Sequence, residues 1–218
     1  MTVGKTYVAE LLRTHHYEIE LLRQKYKHHQ PRSVPHNLIW ALDLTGKTDR
    51  SGHTHAVLGI LEHRSRSCLA LRALTDKSSL TILRCLLEVI EQFGPPKCVR
   101  TDNEAVLTSR LFRFCLFVLG IRHQRTEPGH PWQNGRIERF FLTLKQKLDC
   151  WEVDSASQLN ADLPLFRFWY NHVRPHDHLQ GWTPAEVWQG VDPFRTCFTQ
   201  HRYFSAWQGL LTGIWLRR

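Results

Sequence analysis

Three carboxylates stand where ordinary folding gives them little reason to be. Asp43 interrupts an apolar run, LIWALDLT. Burying an unpaired carboxylate costs several kcal/mol, so Asp43 needs a partner, a cation or an open strand end. Asp102 closes the short run KCVRTDN, and Glu138 follows the loop EPGHPWQNG at the start of a helical segment. Close carboxylates repel one another unless cations bind between them. Hard oxygen donors with open positions suit Mg²⁺, with Mn²⁺ a close substitute. A pair of such ions can activate a water or a 3′-hydroxyl for in-line attack on a phosphodiester, with no protein nucleophile. Taken singly the residues have plainer readings: a hydrogen-bonding strand Asp, an Asx-turn at Asp102-Asn103, a solvated helix Glu.

The elements that must hold these residues follow from periodicity. In residues 38–45, Leu38, Trp40, Leu42 and Leu44 share one strand face, and Ile39, Ala41, Asp43 and Thr45 the other. Strands at 55–62 and 68–74 make an antiparallel meander with it. A helix over 79–93, capped from Asp76, Ser78 or Ser79, stops at Gly94. Then come a short strand ending at Asp102, an apolar helix over 108–119, and a strand at IRHQ. Helices over 133–149 and 156–171 follow, with a short one from Pro184. Strand and helix alternate, so the fold class is α/β with a mixed sheet. Residues 6–28 read as a separate helix leading into a proline-containing linker. Residues 191–218 show only weak tendencies. The expected division is 1–35 helix and linker, 36–190 core, and 191–218 basic tail.

The 218 residues carry 29 Lys and Arg against 20 Asp and Glu, a formal charge of +9, with 14 His in reserve. That balance favours a polyanion partner. Six Cys lack any C-x-x-C pair. Cys68, Cys85, Cys98 and Cys115 read as small buried hydrophobes, and a reducing cytoplasm is the simplest compartment. No apolar stretch is long enough to span a bilayer.

The chain resembles the retroviral-integrase-like superfamily, in the branch of bacterial insertion-sequence transposases. The resemblance rests on WALDLT around Asp43, RTDNE around Asp102, HPWQNGRIERF around Glu138, and the closing stretch YNHVRPHDHLQGWTPAE, and it covers about 36–190. Thirty-five residues separate Asp102 from Glu138, the spacing of that family's D-D-E signature. It implies a ribonuclease-H-like fold with a five-stranded mixed sheet flanked by helices. It also implies metal-dependent cutting at transposon ends and joining of the 3′-hydroxyl to target DNA. Asp43 and Asp102 would bridge two metal ions, and Glu138 would complete the site. Asn134 and Gly135 would belong to a mobile loop, with Arg136 and Arg139 facing phosphate. Helical spacing separately puts Glu138, Leu142 and Lys145 on one face, making Lys145 a candidate for the DNA backbone.

Joining two DNA ends implies at least a homodimer on double-stranded DNA, in a bacterial, nucleoid-associated setting. The helix-turn-helix usual before such a core is absent or reduced to the 6–28 helix, so a shortened copy is expected. The rival readings are a ribonuclease-H-like nuclease that only hydrolyses and an inactive DNA-binding core. His130, His172, His176 and His178 lack a zinc-ligand pattern. Trp182, Pro184 and Glu186 are expected to fasten the closing segment to the core.

Overall fold

The computed structural model describes residues 5–16, 18, 35–127, 134–193 and 195–217. It divides into two units, Met1–Ser33 and Val34–Arg218. In the first, α1 spans Lys5–Thr14. The rest of the helix expected to residue 28 lies almost wholly outside the described residues.

The second unit is built on five strands: β1 (Ile39–Thr48), β2 (Thr54–Glu62), β3 (Cys68–Ala73), β4 (Cys98–Thr101) and β5 (Arg122–Arg125). Their order is β3-β2-β1-β4-β5. The β1–β2 and β2–β3 pairs are antiparallel, and β1–β4 and β4–β5 are parallel. This is the expected mixed sheet. The alternation read in β1 holds. Trp40 and Leu42 enter a core with α2 (Ser79–Phe93) and α3 (Arg110–Val118). Ala41 enters a second core with α4 (Gly135–Leu148) and α5 (Ala156–Phe168). Asp43 shares the face of Ala41, so period-two geometry aims it to the α4 side.

Local chemistry sets the helix ends. Ser78 caps α2 by accepting from the Thr81 amide, and Gly94 closes it at φ +78°. Ser109 caps α3 through the Phe112 amide. α5 ends at Phe168 and widens into a π turn over Trp169–Val173, beyond the plain helix expected to 171. Thr183 and Glu186 form a reciprocal capping box on α6 (Pro184–Gln189). Ser67 donates to the carbonyl of buried Pro184. The closing segment is thus fixed to the β2–β3 turn. Cys68, Cys85 and Cys98 are buried as read, while Cys115 is half-exposed.

Residues 200–217 are better ordered than their weak sequence tendencies suggest. β6 (Gln200–Ala206) and β7 (Leu211–Arg217) pair antiparallel. Trp207 and Leu211 are buried in the α4–α5 core, and Trp207 stacks on Trp151 at 5.5 Å. Trp169 Nε1 donates to the Thr212 carbonyl and Lys147 Nζ to that of Leu210. At Gly213 a Cβ would come within 2.4 Å of Val173, so only glycine permits this approach. The apolar anchors are too few and too widely spaced along the chain to give a periodic signal.

Candidate active site

Parallel pairing sets the first two carboxylates side by side. Ile39, Trp40 and Ala41 of β1 face Cys98, Val99 and Arg100 of β4. Carrying that register two residues further brings Asp43 beside Asp102, at the strand ends where open α/β sheets present their crevice. On its other side Asp43 pairs with Gly59 of β2. A Cβ at Gly59 would come within 2.8 Å of the Phe141 ring and 3.4 Å of Phe140. Glycine there lets α4 lie directly on the sheet, which carries Glu138 in the first turn of α4 to the same end. Sequence reading missed Gly59. Its only trace was a glycine inside an otherwise apolar strand, a pattern that marks a close approach.

Asp43 senses the acids around it. Asp43 is pushed up to about 6, first by burial, then against the pull of the Leu44 amide by the charges of Asp102, Glu104 and Glu138. The Leu44 amide donates to Asp43 Oδ1 at 2.8 Å, and the Glu104 amide to Asp102 Oδ1 at 3.0 Å. Asp102 therefore does make the Asx-type turn, and it faces the cluster as well. Glu104 is the fourth acid, and it ion-pairs with Lys77. It lay unremarked within the RTDNE stretch. Among the described residues no three His, Cys, Asp or Glu side chains already converge around a single ion position. The donor set is all carboxylate oxygen, under mutual repulsion, and it suits a hard divalent cation.

An open groove of about 760 Å³ runs past this end of the sheet. Thr45, His53, His55, Lys77, Asp102, Glu104 and Lys145 are among its lining. Glu138, Leu142 and Lys145 are all exposed on α4, so the face inferred from their spacing exists.

The other anticipated residues fall elsewhere. Asn134 is buried at the N-cap of α4, and among the described residues it caps no amide with its side chain and its Oδ1 has no partner. Arg136 lies on the far flank of the helix and donates to the His63 carbonyl. Two residues of helix turn it about 160° from Glu138. Arg139 is exposed on the outer surface. Among the histidines, His176 is buried, bonds the Tyr170 carbonyl at 3.2 Å and meets the Tyr170 ring edge-on. His172 stacks on Phe168, and His178 is exposed. His130 and the loop at 128–133 lie outside the described residues. Among the described residues no helix is long and apolar enough to cross a membrane.

Two family models, both described as integrase core domain, match residues 35–131 and 119–184. An uncharacterized protein of Caenorhabditis elegans, K02A2.6, is 34% identical over 50% of this chain and 8% of its own length. A 39.2 kDa protein of insertion element IS476 from Xanthomonas euvesicatoria is 28% identical over 71% of this chain and 44% of its own. The chain thus spans less than half the length of either relative. The magnesium-bound, dimeric form of the HTLV-2 integrase catalytic core superposes with a TM-score of 0.55 at 19% identity, covering 72% of this chain and 99% of that one. The five-stranded mixed sheet with its flanking helices is accordingly the ribonuclease-H-like fold of those cores. With the two matches running from residue 35 to residue 184, the chain belongs to the integrase core domain family.

Proposed function

We propose that this chain carries a metal-dependent DNA strand-transfer centre of the transposase type, with Asp43, Asp102 and Glu138 as its catalytic and metal-holding residues. The observation that supports the reading best is geometric: the β1–β4 register brings Asp43 beside Asp102, and Gly59 lets α4 lie on the sheet with Glu138 in its first turn. There the charges of Asp102, Glu104 and Glu138 add to burial in raising the cost of ionising Asp43. Such a cluster is costly without cations and useful with them. A divalent ion pair bound there, Mg²⁺ or Mn²⁺, would activate a water or 3′-hydroxyl and stabilise the departing oxygen.

The chain's own residues do the remaining work. Asp43 and Asp102, fixed by the β1–β4 register and their amide bonds, present oxygens from a rigid base. Glu138 comes from a helix seated by Gly59. Lys145, two turns along the same exposed face, meets the phosphate backbone of duplex lying in the groove. Phosphate contacts of this kind position DNA without reading its sequence. Asn134 belongs to the entry of α4 and positions that helix. In this reading residues 36–190 are the working core, residues 1–35 are a helix and linker, and 191–218 buttress the core. Two copies on transposon ends and target would act together, as a homodimer or larger assembly in a bacterial cytoplasm.

The test is a joining assay with a pre-cleaved duplex end, with Mg²⁺ and with EDTA. Joined product only with Mg²⁺ is the expected result. Hydrolysis without joining would make the chain a nuclease, and no product from any DNA would leave a binding role.

A further inference from the structure

The flank of α4 turned away from the carboxylates carries an arginine cluster that the strand-transfer reading does not use. Arg136, in the first turn of α4, donates to the His63 carbonyl in the β2–β3 turn. That turn is tightly shaped. The buried Glu62 carboxyl accepts from the amide and hydroxyl of Ser65, both at 2.6 Å. The next residue, Arg66, is held in the left-handed region at φ +62°, a strained setting for a non-glycine residue. The turn is tied to the π turn by Asn171, which bonds both the amide and the carbonyl of Cys68 at 2.9 Å. Arg66 lies among Tyr170, Arg136 and Arg139.

Arg66 and Arg136 are largely buried, and burial with mutual repulsion holds both guanidiniums below their ordinary value. Among the described residues none of Arg66, Arg136 and Arg139 has an ion-pair partner. His63 sits among them, only 4% exposed, and its Nε2 has no partner among the described residues. Glu62 is the carboxylate whose charge reaches Arg136, and its Oε2 is already engaged by Ser65, so one buried acid stands against three guanidiniums and the cluster is short of negative charge, which is costly. A buried ring nitrogen without a partner is costly too. Both costs are relieved by an anion seated at this spot. The arginine fork matches phosphate oxygens in particular.

We propose that Arg66, Arg136 and Arg139, with His63 beneath them, form a second phosphodiester-binding site on the opposite flank of α4 from the carboxylates. A duplex held there is a different stretch of DNA from the one lying at Asp43, Asp102 and Glu138. The site would let one helix separate the DNA being cut from the DNA that anchors the protein. The choice of DNA over an acidic peptide rests on the overall charge of +9 and on the integrase core to which the flank belongs.

The experiment is duplex binding by fluorescence anisotropy in EDTA, across a salt series, for the wild type, Arg66→Gln/Arg139→Gln and Arg139→Gln alone. Arg139 is exposed, so its replacement leaves packing intact and keeps the test open if the double variant fails to fold. Each lost phosphate contact should lower the slope of log K against log salt by about 0.9. The double variant should therefore lose roughly two in slope and at least tenfold in affinity at low salt, and the single variant roughly one. Arg139→Lys should keep the slope. An unchanged slope in a folded variant overturns the proposal and leaves the joining activity untouched. A wild-type thermal shift with inorganic phosphate that the double variant lacks, with equal DNA slopes, overturns it in favour of a small-anion site. A wild type that binds no duplex overturns this proposal and the strand-transfer reading together.

Discussion

The two flanks of α4 are opposite answers to the same electrostatic problem. On one, Asp43, Asp102, Glu104 and Glu138 gather negative charge at the ends of β1 and β4. On the other, Arg66, Arg136 and Arg139 gather positive charge against the β2–β3 turn. Each flank holds like charges closer than water alone would favour, and on the proposed reading each would be completed by an ion of the other sign. The difference lies in how they are built. The acidic flank hangs on strand register, backbone amides and a glycine, so the Asp43 and Asp102 oxygens are held by the backbone before anything binds. The basic flank hangs on long side chains from a strained turn and a helix, so it can follow an irregular backbone. Rigid oxygens suit chemistry at one atom, and adaptable guanidiniums suit a grip on polymer.

The sharpest way to break this contrast is to neutralise the acidic flank. Asp102→Asn should reduce Mg²⁺-dependent joining by at least a thousandfold, while duplex affinity in EDTA stays within about threefold. Transition-state charge stabilisation worth more than 4 kcal/mol corresponds to the first figure. Equal losses of joining and affinity would mean that the carboxylates matter for binding, and the division of labour would fail.

Next in size is Gly59→Val. The new side chain meets the Phe141 ring, and α4 must lift off the sheet. Overpacking of this kind costs roughly 1–3 kcal/mol. Joining should fall by more than tenfold, since small displacements of reacting groups are expensive. Urea unfolding and the joining assay read the two effects on the same variant. Retained activity would show that Glu138 tolerates a raised helix.

Much of this was legible before any coordinates. The alternation in β1 assigned Asp43 to its face, and the helical spacing of Glu138, Leu142 and Lys145 gave an exposed stripe that is present. Motif spacing then linked three acids that were weak signals singly. What escaped were features made by tertiary contact. Gly59 matters only because Phe141 crosses it. Arg136 sits two residues from Glu138 in sequence but on the opposite flank, so the expectation that it faces phosphate concerns a different surface from the carboxylates. Arg66 carried no pattern at all, because its position comes from Glu62 shaping a turn.

A third test separates the flanks by stability without metal. Asp43 is raised to about 6 from an unfolded value near 3.8. Between those values the unfolded chain releases its proton first, so folding loses stability as pH rises from about 4 to 6, and the loss is complete above 6. Asp43→Asn removes it. In EDTA at pH 7 the variant should be more stable than the wild type by about 1–3 kcal/mol, and the gain should vanish near pH 4. A destabilised variant at pH 7 would show that the amide bond to Leu44 outweighs the repulsion.

His63 on the basic flank works in the reverse direction. Burial, then the charges of Arg136, Arg100 and Arg66, push it down to about 3 from 6.5. The unfolded chain takes up the proton first as pH falls below about 6.5, so stability is full above that value and drains away toward 3. Between pH 6 and 4 the two flanks therefore oppose one another, while buried His176, held down to about 4, adds to the loss on the acid side. Relative to the wild type, His63→Asn should tilt the curve toward higher stability at pH 4, because one of the acid-side losses is gone. Asp43→Asn should tilt it the other way, because the opposing gain is gone. Over the 6.5 to 5 range the His63 contribution should amount to no more than about 2 kcal/mol, the smallest of these effects. Added inorganic phosphate should shrink it, because an anion among the arginines favours the protonated ring. A His63 contribution indifferent to phosphate would place the bound anion away from His63.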